Sequence, residues 1–156
     1  MIKALLFDFS RTLLFPTDKN YQGGLNSLYR ELQQKENFNF LEHFELNSEV
    51  LNYLETVKNK VGLYIYTSES IQNDPAIIDR LLSIFDKIFS AKETGLSKKD
   101  PKSYEFIAKE LNISPNEILF IDDSQENLDA AKIAGFNTLI YKDASSINEI
   151  SKQLDE

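Results

Sequence analysis

Five short apolar runs, Ile2 to Phe7, Gly62 to Tyr66, Lys87 to Ser90, Ile118 to Ile121 and Thr138 to Tyr141, recur along the sequence. Most are apolar at successive positions, so both faces of each strand have to be covered. Parallel strands meet that demand, because the helices that connect them cross over the two faces of the sheet. The segments between the runs supply such helices. Leu51, Leu54 and Val57 follow the candidate caps Asn47 and Ser48, and Ile77, Ile78, Leu81, Leu82 and Phe85 follow Pro75. Tyr104, Ile107, Ala108 and Leu111 repeat the i, i+3, i+4, i+7 spacing after Pro101, while Leu128, Ala131 and Ala134 lead to Gly135, a helix-ending glycine. A last helix is expected from about Ser145 to Leu154. The expected fold class is α/β: a Rossmann-like three-layer arrangement with a parallel sheet between helices and a ligand site at the carboxyl ends of its strands.

One stretch breaks the alternation. Between Thr17 and Leu46, Leu25, Leu28, Tyr29 and Leu32 form one helical face, followed by Phe38, Phe40, Leu41, Phe44 and Leu46. This is too apolar for a linker and reads as a small helical insertion, residues 17–46, with Gly23-Gly24 as a hinge near its start. Residues 1–16 and 47–156 then form the core domain. With 156 residues, 42% of them hydrophobic, the chain can bury a core of that size.

Charge and composition narrow the function. Seventeen Lys and Arg against 25 Asp and Glu leave a formal charge of −8, which disfavours nucleic acid and anionic membrane as partners, since both are bound largely through basic side chains. There is no Cys, hence no disulfide, thiolate-bound zinc or thiol nucleophile, and the one histidine, His43, excludes a multi-histidine metal centre. The apolar start is too short for a signal peptide or a membrane span, so a cytoplasmic protein is expected. His43, between Leu41 and Phe44, reads as a packed residue rather than an acid or base.

Four polar features follow the expected strands: Asp8 and Ser10, Thr67 and Ser68, Lys98, and Asp122-Asp123. Singly, each is the kind of residue that caps helices and shapes turns. Gathered at one sheet edge, they supply a carboxylate nucleophile, hydroxyl and lysine clamps and an acidic pair for a divalent metal. Phosphoryl transfer from a monoester needs such a set.

The order of these residues resembles the haloacid dehalogenase (HAD) superfamily. Leu5-Leu6-Phe7-Asp8-Phe9-Ser10-Arg11-Thr12 resembles its first motif, and Tyr64-Ile65-Tyr66-Thr67 its second. Gly95-Leu96-Ser97-Lys98-Lys99-Asp100-Pro101 resembles the third, with Lys99 where a proline is usual. Leu119-Phe120-Ile121-Asp122-Asp123-Ser124-Gln125-Glu126-Asn127 resembles the fourth. A response-regulator receiver uses similar groups but resembles a different order, with the acidic pair first.

The resemblance implies a HAD-like fold and an Mg²⁺-dependent phosphohydrolase or phosphotransferase acting on a small phosphorylated molecule. Asp8 would be the nucleophile and a metal ligand, joined by the Ser10 carbonyl and Asp123, with Asp122 supporting them. Thr67, Ser68 and Lys98 would bind the phosphoryl group, and Asn127 and Thr12 would orient the acidic groups. Two departures stand out. Ser10 replaces the aspartate that acts as general acid and base, a role worth ~10²–10⁴-fold, or roughly 3–5 kcal/mol of barrier. Arg11 replaces the usual glycine, and either adds a cation beside the phosphate or marks a turn that tolerates a side chain. These departures leave an alternative: a catalytically weakened HAD-like domain that binds a phosphorylated ligand or a protein partner.

Overall fold

The computed structural model describes residues 1–155. A central sheet of five parallel strands holds β1 (Ala4–Phe7), β4 (Gly62–Thr67), β5 (Lys87–Ser90), β6 (Ile118–Asp122) and β7 (Asn137–Ile140), in the order β5-β4-β1-β6-β7. Alternation along each strand divides its side chains between two apolar layers. Leu5, Phe7, Leu63, Ile65, Leu119 and Ile121 point into one layer, which also takes Val50, Leu51, Leu54 and Val57 of α3 (Ser48–Val57) and Ile150 of α8 (Ser146–Asp155). Ala4, Leu6, Tyr66, Ile118 and Phe120 point into the other, with Tyr104, Ile107 and Ala108 of α6 (Pro101–Leu111) and Leu128 and Ala131 of α7 (Gln125–Ile133). Burial of side chains this size contributes about 1.5–3 kcal/mol each. The three-layer α/β arrangement read from the sequence is therefore present.

The helix ends follow local chemistry. Asn47 caps α3 by accepting from the Val50 N–H, and Asp100 caps α6 by accepting from the Lys102 N–H, with Pro101 at the first helical position. Gly135 ends α7 at φ +94°, a left-handed conformation that glycine adopts without strain. The apolar run after Pro75 makes a shorter helix than its pattern suggests: α4 covers only Ile78–Leu82, because Ile77 sits at the N-cap in a non-helical conformation.

The stretch expected to be helical through Leu46 is only partly so. It contains α1 (Leu25–Leu32) and the single turn α2 (Phe40–His43), then a strand, β3 (Phe44–Leu46), antiparallel to β2 (Leu14–Pro16). This two-stranded ribbon lies outside the main sheet and brings the two ends of the insertion together. Leu25, Leu32, Phe40 and Phe44 share the apolar layer of α3, so the insertion packs as a continuation of the core. His43 stacks on Phe38 with ring centroids 5.9 Å apart. Among the described residues no helix is long and apolar enough to cross a membrane.

Candidate active site

The site forms where β1, β4 and β6 end side by side. Register pairs Phe7 with Ile65 and with Ile121, so the residues that follow these three strands emerge at one level. Asp8 leaves β1 while its N–H still bonds the Ile121 carbonyl at 2.9 Å, which ties the start of the loop to β6. The chain then folds tightly, with the N–H groups of Leu13 and Leu14 both donating to the Phe9 carbonyl (2.9 and 3.0 Å). Thr12 is thereby turned back, and its Oγ1 donates to Asp8 Oδ2 at 3.2 Å. Arg11 takes φ +62°, a left-handed conformation that costs a non-glycine residue roughly 1–2 kcal/mol.

Lys98 arrives from the far side. Gly95, at φ +73°, reverses the chain after the short helix α5 (Ala91–Thr94), and the Asp100 cap begins α6 just beyond Lys98. Tyr104, one turn into α6, donates its hydroxyl to the Lys98 carbonyl at 2.6 Å. Burial raises the Tyr104 pKa, which keeps that hydroxyl protonated as a donor. The Lys98 side chain is buried and bonds Asp8 Oδ1, with Asp122 Oδ2 at 3.2 Å. The rings of Tyr66 and Phe120 lie 5.4 and 5.7 Å from its Nζ. Burial alone would favour a neutral amine, but Asp8 and Asp122 outweigh it and hold the ammonium above its ordinary pKa.

Asp122 and Asp123 divide their duties. Asp122 is wholly buried, with Oδ1 accepting from the Ser124 N–H (2.8 Å) and Oδ2 from Asn127 Nδ2 (3.0 Å) as well as facing Lys98. Asn127 is held in turn by the first turn of α7, which Ser124 caps. Asp123 is solvent-accessible, yet its carboxyl is pushed up to about 8, first by partial withdrawal from water and then by the charge of Asp8. Carboxylate oxygens of Asp8, Asp122 and Asp123 all lie within 4.8 Å of one another. Three carboxylates face one ammonium. Such an excess of hard, anionic oxygen donors fits a hard divalent cation such as Mg²⁺.

The other residues expected at the site fall as follows. Thr67 is buried as the last residue of β4, and Ser68 is exposed directly after it. Ser10 Oγ is buried with no hydrogen-bond partner among the described residues. Arg11 turns toward the insertion, and its Nη2 donates to the carbonyls of Tyr21 (3.2 Å) and Gly23 (2.7 Å). Two contributors were not foreseen. Tyr104 reads in the sequence as one more apolar-face residue, although a buried tyrosine hydroxyl does call for a partner. Asn47, expected only as a cap, also donates through Nδ2 to the Thr12 carbonyl (3.0 Å) and to Tyr141 Oη (2.7 Å).

Residues 16–135, more than half of the chain, match the haloacid dehalogenase-like hydrolase family. The chain belongs to that family. It is 38% identical over 105 residues to enolase-phosphatase E1 of Enterobacter sp. (strain 638), covering 61% of this chain and 43% of that protein. It is 35% identical over 69 residues to bifunctional epoxide hydrolase 2 of Rattus norvegicus, covering 44% of this chain and 12% of that one. The chain thus spans less than half the length of these curated relatives. The fold is shared with a HAD family enzyme of Bacteroides thetaiotaomicron solved with magnesium and inorganic phosphate (TM-score 0.68, 16% identity, 91% of this chain and 95% of that one). It is equally close to a predicted HAD-like family hydrolase of Porphyromonas gingivalis (TM-score 0.68, 19% identity, 100% of this chain and 99% of that one).

Proposed function

We propose that the chain is an Mg²⁺-dependent phosphohydrolase or phosphotransferase that acts on a small phosphomonoester through Asp8. The observation that carries this reading is the convergence of Asp8, Lys98, Asp122 and Asp123 from three separate segments onto one sheet edge. The enolase-phosphatase relatives and the magnesium and phosphate bound by a neighbour of the same fold support it. Asp8, the Ser10 carbonyl and Asp123 hold the metal, with Asp122 in support. When bound, the cation offsets negative charge on the phosphoryl oxygens.

The residues divide the remaining work. Thr12 and Lys98 orient the Asp8 carboxylate, one oxygen of which attacks phosphorus. The bond to the leaving oxygen breaks, that oxygen takes a proton from water, and Asp8 carries the phosphoryl group as an acyl phosphate. Lys98, Thr67 and Ser68 hold the transferring oxygens, while Asn127 and the Ser124 N–H keep Asp122 in place. Water then attacks the acyl phosphate to release inorganic phosphate and free Asp8. Residues 17–46 act as a small cap on a core of 1–16 and 47–156, selecting substrate rather than performing chemistry.

Ser10 makes the second step slow. Its hydroxyl cannot accept a proton at neutral pH as a carboxylate can, and among the described residues none hydrogen-bonds it to activate it. The same observation favours a second reading, in which the domain binds a phosphorylated ligand or a protein without efficient turnover. Incubation with Mg²⁺ and acyl, aryl or alkyl phosphates separates the two. The enzyme reading expects an added phosphate mass that hydroxylamine removes and that Asp8→Asn never shows. It also expects Ser10→Asp to raise steady-state turnover, toward the ~10²–10⁴-fold that an acid-base group supplies. No phosphoenzyme from any donor and no gain in Ser10→Asp would leave only the binding reading.

A further inference from the structure

We infer that Arg11 is a positioning residue, whose guanidinium fastens the start of the insertion to the loop that carries Asp8 and so sets how the insertion sits over the site. Its effect on substrate rests on the function proposed above, whereas the fastening itself does not.

The argument starts with the backbone. At φ +62° a glycine would sit without strain, so the side chain at this position is retained against a local preference. That side chain is committed. One nitrogen, Nη2, uses both of its hydrogens on carbonyls twelve and ten residues away, those of Gly23 and Tyr21. The other end of Arg11 is equally fixed, because its own N–H donates to the Leu14 carbonyl at 2.7 Å. The turn it grips is built from few other bonds. Tyr21 donates its hydroxyl to the Gly24 carbonyl at 3.1 Å, and Gly24 precedes α1 without any side-chain cap on the helix.

The opposite side of the insertion is tied to a different loop. Tyr29 and Arg30 of α1 bond Asp74 (2.8 Å) and Glu69, both in the segment that follows Thr67. The insertion therefore bridges the loop after β1, which carries Asp8, and the loop after β4, which begins just past Thr67. On the β4 side an aromatic hydroxyl and an ion pair share the hold. On the β1 side, where the ribbon anchors the ends of the insertion and Lys19 pairs with Glu45, Arg11 is the side chain that bonds the turn at Tyr21 and Gly23 to the Asp8 loop. Releasing Arg11 frees residues 18–24, which precede the buried Leu25, to move away from the Asp8 loop, while the sheet edge with its carboxylates stays as it is. Arg11 would then govern how well a leaving group is enclosed, not how phosphorus is attacked.

The test is hydrogen exchange by mass spectrometry on the full chain, comparing wild type, Arg11→Gly and Arg11→Lys. Arg11→Gly suits the backbone conformation and is expected to fold, with amides in residues 18–24 exchanging faster and those of the central sheet unchanged. Arg11→Lys is expected to retain wild-type protection, since one ammonium can donate to both carbonyls. With 4-nitrophenyl phosphate and Mg²⁺, Arg11→Gly should raise KM by about tenfold, the size of one or two lost hydrogen bonds, with kcat within about twofold of wild type. Unchanged exchange in Arg11→Gly overturns the inference. So does weakened binding of inorganic phosphate with unchanged exchange, because Arg11 would then be a phosphate ligand. If wild type turns over no phosphate ester, the function proposed above falls, and the exchange comparison still decides the fastening.

Discussion

Two ion-pair systems in this molecule obey different physics. Lys98 and its partners Asp8 and Asp122 are 5%, 9% and 1% exposed, whereas the pair that holds the insertion's ribbon, Lys19 with Glu45, is 73% and 49% exposed. Around Lys98, water cannot screen or replace a missing partner, so each charge depends on the others being present. Around Lys19, solvent does both, and such a pair is worth about 0–1 kcal/mol. The geometry of the candidate site is enforced by burial, whereas the exposed polar ties of the insertion, unlike its buried apolar face, can break and re-form at little cost. On the function proposed above, that contrast would keep the reacting groups fixed while the exposed face of the insertion adapts.

The strongest way to break the contrast is to remove its buried cation. Lys98→Met keeps an unbranched side chain of similar length but leaves Asp8 and Asp122 facing one another, and is expected to destabilise the protein by about 3–5 kcal/mol in denaturant melts without metal. Added Mg²⁺ should recover part of that loss, more than it adds to wild type. A variant as stable as wild type would show that the buried pairs are not interdependent.

A smaller effect is expected at the accessible edge of the same cluster. Asp123→Ala removes a hard oxygen donor without disturbing the bonds of Asp122, and should weaken Mg²⁺ binding by at least about tenfold in calorimetry while leaving the melt within ~1 kcal/mol of wild type. Equal Mg²⁺ binding by the two proteins would remove Asp123 from the metal site. The smallest effect is expected in the insertion. His43→Gln loses a ring stacked on Phe38 and should change KM by about threefold or less with an unaltered single-turnover rate. A hundredfold fall in that rate with unchanged binding would instead make His43 an acid-base group.

The legible parts of the molecule are those in which neighbouring residues carry the signal. The run Lys87 to Ser90 is a strand with those same bounds, and Asn47, Pro101 and Gly135 mark helix ends as their chemistry suggests. The gathering of Asp8, Thr67 and Asp122 at one sheet edge was legible because each ends or follows an apolar run, and a parallel sheet brings such ends together. What stayed hidden depends on partners distant in sequence. Leu14–Pro16 and Phe44–Leu46 are three-residue strands, too short to show alternation, and only their mutual pairing makes them a ribbon. Arg11 could not be read as a bond to Tyr21 and Gly23, nor Tyr104 as a support for Lys98, because both depend on how loops fold back rather than on any local pattern.

The paired acids at the end of β6 carry a consequence for how this sequence can change. Asp122 has its oxygens committed to the scaffold, while the very next residue stands open to solvent. Both carboxyl groups nevertheless converge on Asp8, their oxygens within 4.8 Å of one another and of its own, because Asp122 is the last residue of β6 and Asp123 the first of the turn beyond it. Gain or loss of a single residue within 118–122 would turn the strand's apolar side chains to the wrong layers and carry both acids out of register with Asp8, although the composition would scarcely alter. Substitutions can be absorbed along this stretch, one methyl group at a time, but an insertion or deletion cannot: here it is the count of residues that natural variation has to preserve.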